Sequence, residues 1–281
     1  MKLPTNIYGL KEKFSDNYQC QLFRSASEWS VGVSSVENSI YRLYYKLIEE
    51  SKHYIYIENQ FFISKAFSEE EEKQNPFLQE YAVKNRIAFK IRERVERAYI
   101  NKERFKVYIL FPSVPGFPGN IKDSYGLQKL TKFTMRTTHR FKGFSILERL
   151  YSVMGDDVFD YVQFLNLRKV DINPLTNIPG TEQVYIHAKV SLISCIKINI
   201  LKIIIVDDLK VFIGSANIND RSMMGDRDSE LGVLVQGGET VESILNGAKE
   251  NVSKYAFTLR MRLLQVRIKY ILILIIIIII I

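Results

Sequence analysis

Short apolar runs rich in β-branched and aromatic residues alternate along this chain with stretches of helical periodicity. That alternation restricts the fold to layered α/β architectures. The run His53–Ser64 (HYIYIENQFFIS) reads as a buried strand ending near Glu58. Phe105–Phe111 (FKVYILF) reads as another, closed by the proline- and glycine-rich loop PSVPGFPGN. Residues 160–166, 183–190, 203–206 and 211–213 carry further strand patterns. Between these runs, residues 36–51 place Ile40, Leu43, Tyr44, Leu47 and Ile48 on one helical stripe, and Ser34 with Glu37 has the spacing of a capping box. A second helix is predicted from Pro76 to about Asn101, where Val83, Ile87, Ile91 and Val95 recur at four-residue steps, and a third over 124–151. The acidic run Glu69–Glu72 reads as a solvated loop. The expected fold is α/β, a central mixed β-sheet with helices on both faces. No internal repeat and no clean linker divides it, so residues 1–265 are expected to form one lobe, with 266–281 a low-complexity Ile/Leu tail.

Composition bounds the chemistry. With 281 residues, 47% of them hydrophobic and 25% charged, the chain can build a substantial core. Lys and Arg total 39 against 31 for Asp and Glu, a net charge of +8. This suits an anionic partner, phospholipid head groups or nucleic acid, without selecting between them. Two cysteines, Cys20 and Cys195, do not make a disulfide scaffold. The three histidines, His53, His139 and His187, are scattered with no HExxH or CxxC around them, so no zinc site and no cofactor is expected. The first residues, MKLPTNIYGLKEKF, lack the apolar core of a signal peptide, which points to a reducing, cytoplasmic setting. From Ile271 to Ile281 every residue is Ile or Leu, flanked by Arg260, Arg262, Arg267 and Lys269. As a helix, this run with Tyr270 would rise about 18 Å, short of the ~30 Å of a bilayer core. It reads either as a membrane anchor or as a tail with no folded role.

The segments YIHAKV and IIIVDDLKVFIGSANINDRS carry the chemistry. His187 and Lys189 are two apart, so on a strand both side chains reach one face. Ser215 and Asn217 repeat that spacing behind Gly214, whose missing side chain permits close backbone approach. An imidazole, an ammonium, a hydroxyl and a carboxamide on one face suit a phosphodiester. The ammonium and the neutral donors can bind the non-bridging oxygens, where charge grows in the transition state, and the imidazole can attack phosphorus or protonate the leaving oxygen.

These residues resemble the phospholipase D superfamily pattern H-x-K-x4-D-x6-G-S-x-N, and the chain looks like the C-terminal catalytic half of a eukaryotic phospholipase D. Asp207, Gly214, Ser215 and Asn217 hold the back of the pattern intact. Asp226–Glu230 (DRDSE), Phe23–Gly32 (FRSASEWSVG), Glu37–Ser64 and Phe111–Gly119 (FPSVPGFPG) fit the same family, over roughly residues 18–265. IENQFF together with GSANINDRS marks the lipid-hydrolysing branch rather than the nuclease branch. The resemblance implies the following roles. His187 protonates the leaving alcohol, and Lys189 and Asn217 bind phosphate oxygens with help from Ser215. Glu230 orients and charges the imidazole. Asp207, a member of the motif, supports the strand–turn geometry. Glu58 and Gln60 take either a packing or a pocket role.

The chain departs from the pattern in two places. His187 and Asp207 lie twenty apart where the pattern demands seven, and the thirteen extra residues are best placed at 191–203 (SLISCIKINILKI), inside the motif region 183–222. Such an insert must loop out of a central strand or form a longer hairpin, turning at Lys197–Asn199, that keeps both ends in register. Secondly, the family builds one site from two such motifs and this chain carries one. Its N-terminal counterpart is absent, and the family's closing segment is replaced after about Gln265. Three readings follow. The first is a phospholipase D that hydrolyses phosphatidylcholine to phosphatidic acid and choline through a phosphohistidine, with this chain supplying one of two half-sites at a peripheral membrane surface. The second is a truncated, inactive lipid-binding fragment. The third, disfavoured by the branch-specific motifs, is a homodimeric single-motif phosphodiesterase acting on nucleic acid. On the first reading the partners are phospholipid and either a second copy or the missing half, with no nucleic acid.

Overall fold

A computed structural model describes residues 17–114, 124–138, 143–172, 179–183, 202–268 and 271–272. The elements run β1 (Tyr18–Ala26), α1 (Glu28–Val31), β2 (Glu37–Asn38), α2 (Ser39–Glu50), β3 (Tyr54–Glu58), α3 (Glu69–Gln74), α4 (Pro76–Gln79), α5 (Ile87–Ile100) and β4 (Lys106–Leu110). They continue with α6 (Tyr125–Thr138), α7 (Ile146–Met154), α8 (Val158–Tyr161), β5 (Val162–Ile172), β6 (Pro179–Gln183), β7 (Lys202–Val206) and β8 (Lys210–Gly214). The last are α9 (Asp220–Met223), β9 (Glu230–Gly237), β10 (Thr240–Leu245), β11 (Ala248–Ser253), α10 (Lys254–Ile268) and β12 (Ile271–Leu272).

The sheet is mixed, in the order β12-β5-β4-β3-β7-β8-β9-β1-β2, with β6 also on β5. Strands β3, β4 and β5 are parallel neighbours, while β7 runs antiparallel to β3 and is followed by the antiparallel series β8, β9, β1. Residues alternate between two apolar layers, as the period of two requires. Ile55, Ile57, Val107, Ile109, Ile204, Val206 and Phe212 join the helical core built on α2, α5 and α7. Tyr54, Tyr56, Leu110, Ile203, Ile205 and Val211 face the layer supplied by α10 and the β10–β11 hairpin. Every residue of β3 is buried, which explains why its sequence is nearly continuous rather than alternating. Helices thus cover both faces, as the sequence pattern implied.

Several local expectations are corrected. The apolar stripe of α2 is buried as predicted, but the helix starts at Ser39 with Asn38 as N-cap, and Ser34 with Glu37 forms no capping box. Glu37 is instead held by the guanidinium of Arg24, through Nε and through Nη2 at 2.7 Å. The acidic run is helical, not a loop. Ser68 Oγ accepts from the Glu71 amide at 3.0 Å and Glu71 Oε2 accepts from the Ser68 amide at 2.7 Å. Its carboxylates meet cations from nearby loops and from α5 and α7. Glu72 pairs with Lys65 and Arg86, and Glu71 with Arg92 and Arg149. The helix expected over 76–101 breaks between α4 and α5, because the amides of Lys84 and Asn85 are drawn to the carboxylate of Asp220 at 2.7 and 2.8 Å. The stretch 124–151 divides into α6 and α7, the latter capped by Ser145, whose Oγ accepts from the Glu148 amide at 3.2 Å.

Of the strand expected over 183–190, Gln183 ends β6 and the rest lies outside the described residues. The final two residues of the 191–203 segment, Lys202 and Ile203, lie in β7; the others fall outside. Ile271 and Leu272 of the tail pair with Leu167 and Asn166 of β5. No helix among the described residues is long and apolar enough to cross a membrane.

Candidate active site

The candidate site sits where β8 ends and β9 begins. Two glycines face each other there, Gly214 on β8 and Gly232 on β9. The ring of Phe212 occupies the space their side chains would take: a Cβ on Gly232 would fall 2.2 Å from the ring, and one on Gly214 would fall 2.9 Å from the Leu231 carbonyl. The glycines therefore let β8 and β9 close over a buried aromatic ring and deliver Ser215 beside Glu230. Gly232→Ala is expected to destabilise the fold by about 2 kcal/mol through overpacking. A urea midpoint equal to that of the unaltered chain would show that the ring simply moves aside.

Glu230 is the hub. Ser215 Oγ donates to its Oε2, and Ser222 Oγ donates to its Oε1 at 2.5 Å. Ser215 is tied to β9 twice more, its amide donating to the Leu231 carbonyl at 3.0 Å and its Oγ accepting from the Leu231 amide at 3.1 Å. Ser222 is presented by α9, whose N-cap is Asn219 with Oδ1 accepting from the Ser222 amide at 3.1 Å. Within this segment, Asp220 accepts from the Lys84 and Asn85 amides and from Asn85 Nδ2, and Arg221 grips Asp228 with both Nε and Nη2. NDRS and DRDSE are thus two halves of one clamp around Glu230.

Asn217 follows on the same segment, half-buried, and its Oδ1 has no hydrogen-bond partner among the described residues. The backbone around it is fixed by Asn59, fully buried at the end of β3. Asn59 Nδ2 donates to the Ala216 carbonyl at 3.3 Å, and Oδ1 accepts from the Ile218 amide at 3.1 Å and the Phe61 amide at 3.2 Å. The Ile63 amide then donates to the Ile218 carbonyl at 2.8 Å. The IENQFF strand is thereby joined to GSANIN, which gives the two sequence segments one structural purpose. Its neighbours Glu58 and Gln60 are also buried, and Glu58 Oε1 accepts from the Tyr56 hydroxyl.

Lys202 opens β7 opposite Gly214. Its ammonium donates to the Ser215 carbonyl. Burial lowers its pKa from the usual lysine range, against the opposing pull of Glu230 and Asp228.

The structure brings Ser215, Asn217 and Glu230 to one locus. Asp207 is elsewhere: it lies in the turn at the far end of the β7–β8 hairpin, with φ +54°, and its carboxylate accepts from the amides of Lys52, His53 and Tyr54 at 2.7, 2.7 and 2.8 Å. His187 and Lys189 lie outside the described residues. Sequence reasoning missed Asn59, Ser222 and Lys202. The first two were signalled by their place inside IENQFF and NDRS. The third was a lysine opening an apolar strand. Among the described residues no cluster of three or more His, Cys, Asp or Glu could hold a metal ion.

A strand pair ending in a Ser–Glu–Ser triangle, with the Asn217 segment and the Lys202 ammonium beside it, makes up the candidate site on an α/β lobe. The family model for Phospholipase D matches residues 5–267, and the chain belongs to that family. It is 39% identical over 247 residues to phospholipase D zeta 1 of Arabidopsis thaliana, covering 87% of this chain and 20% of that protein. It is 39% identical over 251 residues to mouse phospholipase D1, covering 88% of this chain and 20% of that one. Phospholipase D1 of Saccharomyces cerevisiae is 35% identical over 260 residues, covering 91% and 14%. The chain thus spans about a fifth or less of the curated relatives it matches. Among solved structures, Nuc from Salmonella typhimurium, a phospholipase D family member, aligns with 90% of this chain and 96% of its own at TM-score 0.42 and 13% identity. Phosphatidylserine synthase from Haemophilus influenzae aligns with 90% and 39% at TM-score 0.47 and 11% identity.

Proposed function

We propose that this chain supplies one of the two half-sites of a phospholipase D that hydrolyses phosphatidylcholine to phosphatidic acid and choline at the surface of a membrane, as a cytoplasmic, peripherally associated protein. The observation that carries the reading is the junction of Ser215, Asn217 and Glu230 at one strand end, in a chain matched to the family from 5 to 267. Neutral hydroxyl and carboxamide groups there suit the non-bridging oxygens of a phosphodiester. The family resemblance adds a lysine ammonium for the same oxygens, and its spacing from His187 points to Lys189.

The reaction proceeds in two displacements. An imidazole of the complementary half-site attacks phosphorus, the P–O bond to choline breaks, and His187 as imidazolium gives its proton to the departing oxygen. Water then attacks the phosphohistidine, the P–N bond breaks, and His187 takes the proton of that water. Glu230, already set by two hydroxyl donors, balances the positive charge of the imidazolium. Asp207 holds the hairpin that carries the site.

Choline release from phosphatidylcholine vesicles tests the reading, measured on the chain as it stands and on a version lacking residues 191–203. Release by either supports it, and release by neither rejects an enzyme role for this chain. His187→Asn should cut turnover by about a thousandfold while leaving vesicle binding intact. Turnover retained in that variant contradicts the acid assigned to His187.

A further inference from the structure

The geometry points to Lys202 as the ammonium that binds the anion at this site, a role that spacing from His187 assigned to Lys189. The inference rests on the phosphodiester reading above and names a residue within it. Two lysines compete because the motif is stretched. Lys189 keeps its separation from His187, whereas Lys202 lies five residues before Asp207, the lysine-to-aspartate separation of the pattern.

The strand ladder supports Lys202. Lys202 pairs with Gly214, so the register of β7 on β8 places it one residue from Ser215, and its ammonium reaches the Ser215 carbonyl. That carbonyl uses one of three N–H donors, and none of the ion pairs among the described residues involves Lys202. Three other cations near the site are paired with carboxylates: Arg221 with Asp228, Lys84 with Asp226 and Arg24 with Glu37. The partly buried ammonium is hydrogen-bonded to a neutral carbonyl, forms no direct ion pair with Glu230 or Asp228 although both act on it, and an incoming phosphate offsets the desolvation that burial imposes. Asn217, whose carboxamide oxygen has no hydrogen-bond partner among the described residues, lies on the segment that follows Ser215.

The test uses the full chain and inorganic phosphate as the probe, titrated by calorimetry or by 31P NMR. Lys202→Gln should weaken phosphate at least tenfold, about 1.4 kcal/mol, with an unchanged far-UV spectrum, while Lys189→Gln should change it less than threefold. A tenfold loss in both variants still supports Lys202 and adds Lys189 to the site. Loss confined to Lys189→Gln overturns the assignment but leaves the phosphodiester reading standing. If the unaltered chain does not bind phosphate at millimolar concentration, both fall.

Discussion

Asp207→Ala is expected to lower the stability of the chain by about 4 kcal/mol, read as a fall in the urea midpoint at constant m-value. The carboxylate is 3% exposed and accepts three backbone N–H groups, from Lys52, His53 and Tyr54, more than 150 residues away in sequence. It is the link that ties the entry of β3 to the β7–β8 turn. Alanine would leave those donors, the Tyr54 amide buried and the other two part-buried, without their charged acceptor, and would itself sit at φ +54°, where a Cβ is strained. Two further variants separate these effects. Asp207→Gly removes the strain but not the lost bonds, and should recover about 1 kcal/mol relative to alanine. Asp207→Asn keeps an acceptor oxygen and tolerates the left-handed conformation, so it should cost about half as much as alanine. β8 separates this turn from Ser215 by five residues, roughly 17 Å of strand. Folded Asp207→Asn should therefore bind phosphate as the unaltered chain does. A tenfold loss of affinity at a temperature where it is fully folded would move Asp207 from a structural role into the site.

What the sequence made legible follows from range. The α2 stripe has a period of 3.6, the runs of β3, β4, β7 and β8 are short apolar stretches rich in β-branched and aromatic residues, and each becomes the element it resembles. Where the expectation failed, the deciding partners are wholly or partly distant. Glu69–Glu72 reads as a loop because its capping box with Ser68 went unread and because the cations that pair with Glu71, Arg92 of α5 and Arg149 of α7, come from distant elements. The segment between α4 and α5 looks helical until Asp220 captures its amides. The site divides in the same way. Ser215, Asn217 and Glu230 could be named from spacing and family resemblance, because Ser215 and Asn217 are neighbours on one segment and Glu230 opens the adjoining strand. Asn59 was marked only as part of IENQFF, and its role stayed hidden because it bonds the backbone of Ala216 and Ile218 from 157 and 159 residues away. Lys202 was hidden for another reason. Read along the chain it belongs to an apolar insert, and only the pairing of β7 with β8 reveals that it stands opposite Gly214.

The second large effect is expected at the neighbouring aspartate. Asp208 is fully buried and accepts from Arg260 Nε at 2.8 Å, Arg260 Nη2 at 2.6 Å and the Tyr54 hydroxyl. The guanidinium also lies 5.5 Å from the ring centroids of both Tyr54 and Phe257. Burial works against the Arg260 charge, but Asp208 and Tyr54 outweigh it and hold its pKa above the ordinary arginine value. Burial also raises the Tyr54 phenol, with Asp208 acting in the same direction, so it stays protonated and donates. Arg260→Met keeps the apolar stem and removes the partner of a buried charge, which should cost about 3–5 kcal/mol. Asp208→Asn in the same background removes the stranded charge and should restore about half of that loss, giving a coupling energy well outside additive behaviour. The alternative is that Arg260 contributes only its contacts with Tyr54 and Phe257, in which case Arg260→Met is nearly neutral and Asp208→Asn gains nothing from it. The distinction bears on function because α10 joins the apolar layer behind β3 and β7, and β7 carries Lys202 at its opposite end. If the pair anchors α10, Arg260→Met should expose that layer and raise hydrogen exchange in β7 before it affects α2 or α5. Equal exchange in all three would show that Arg260 and Asp208 stabilise the lobe as a whole rather than the strand that presents the ammonium.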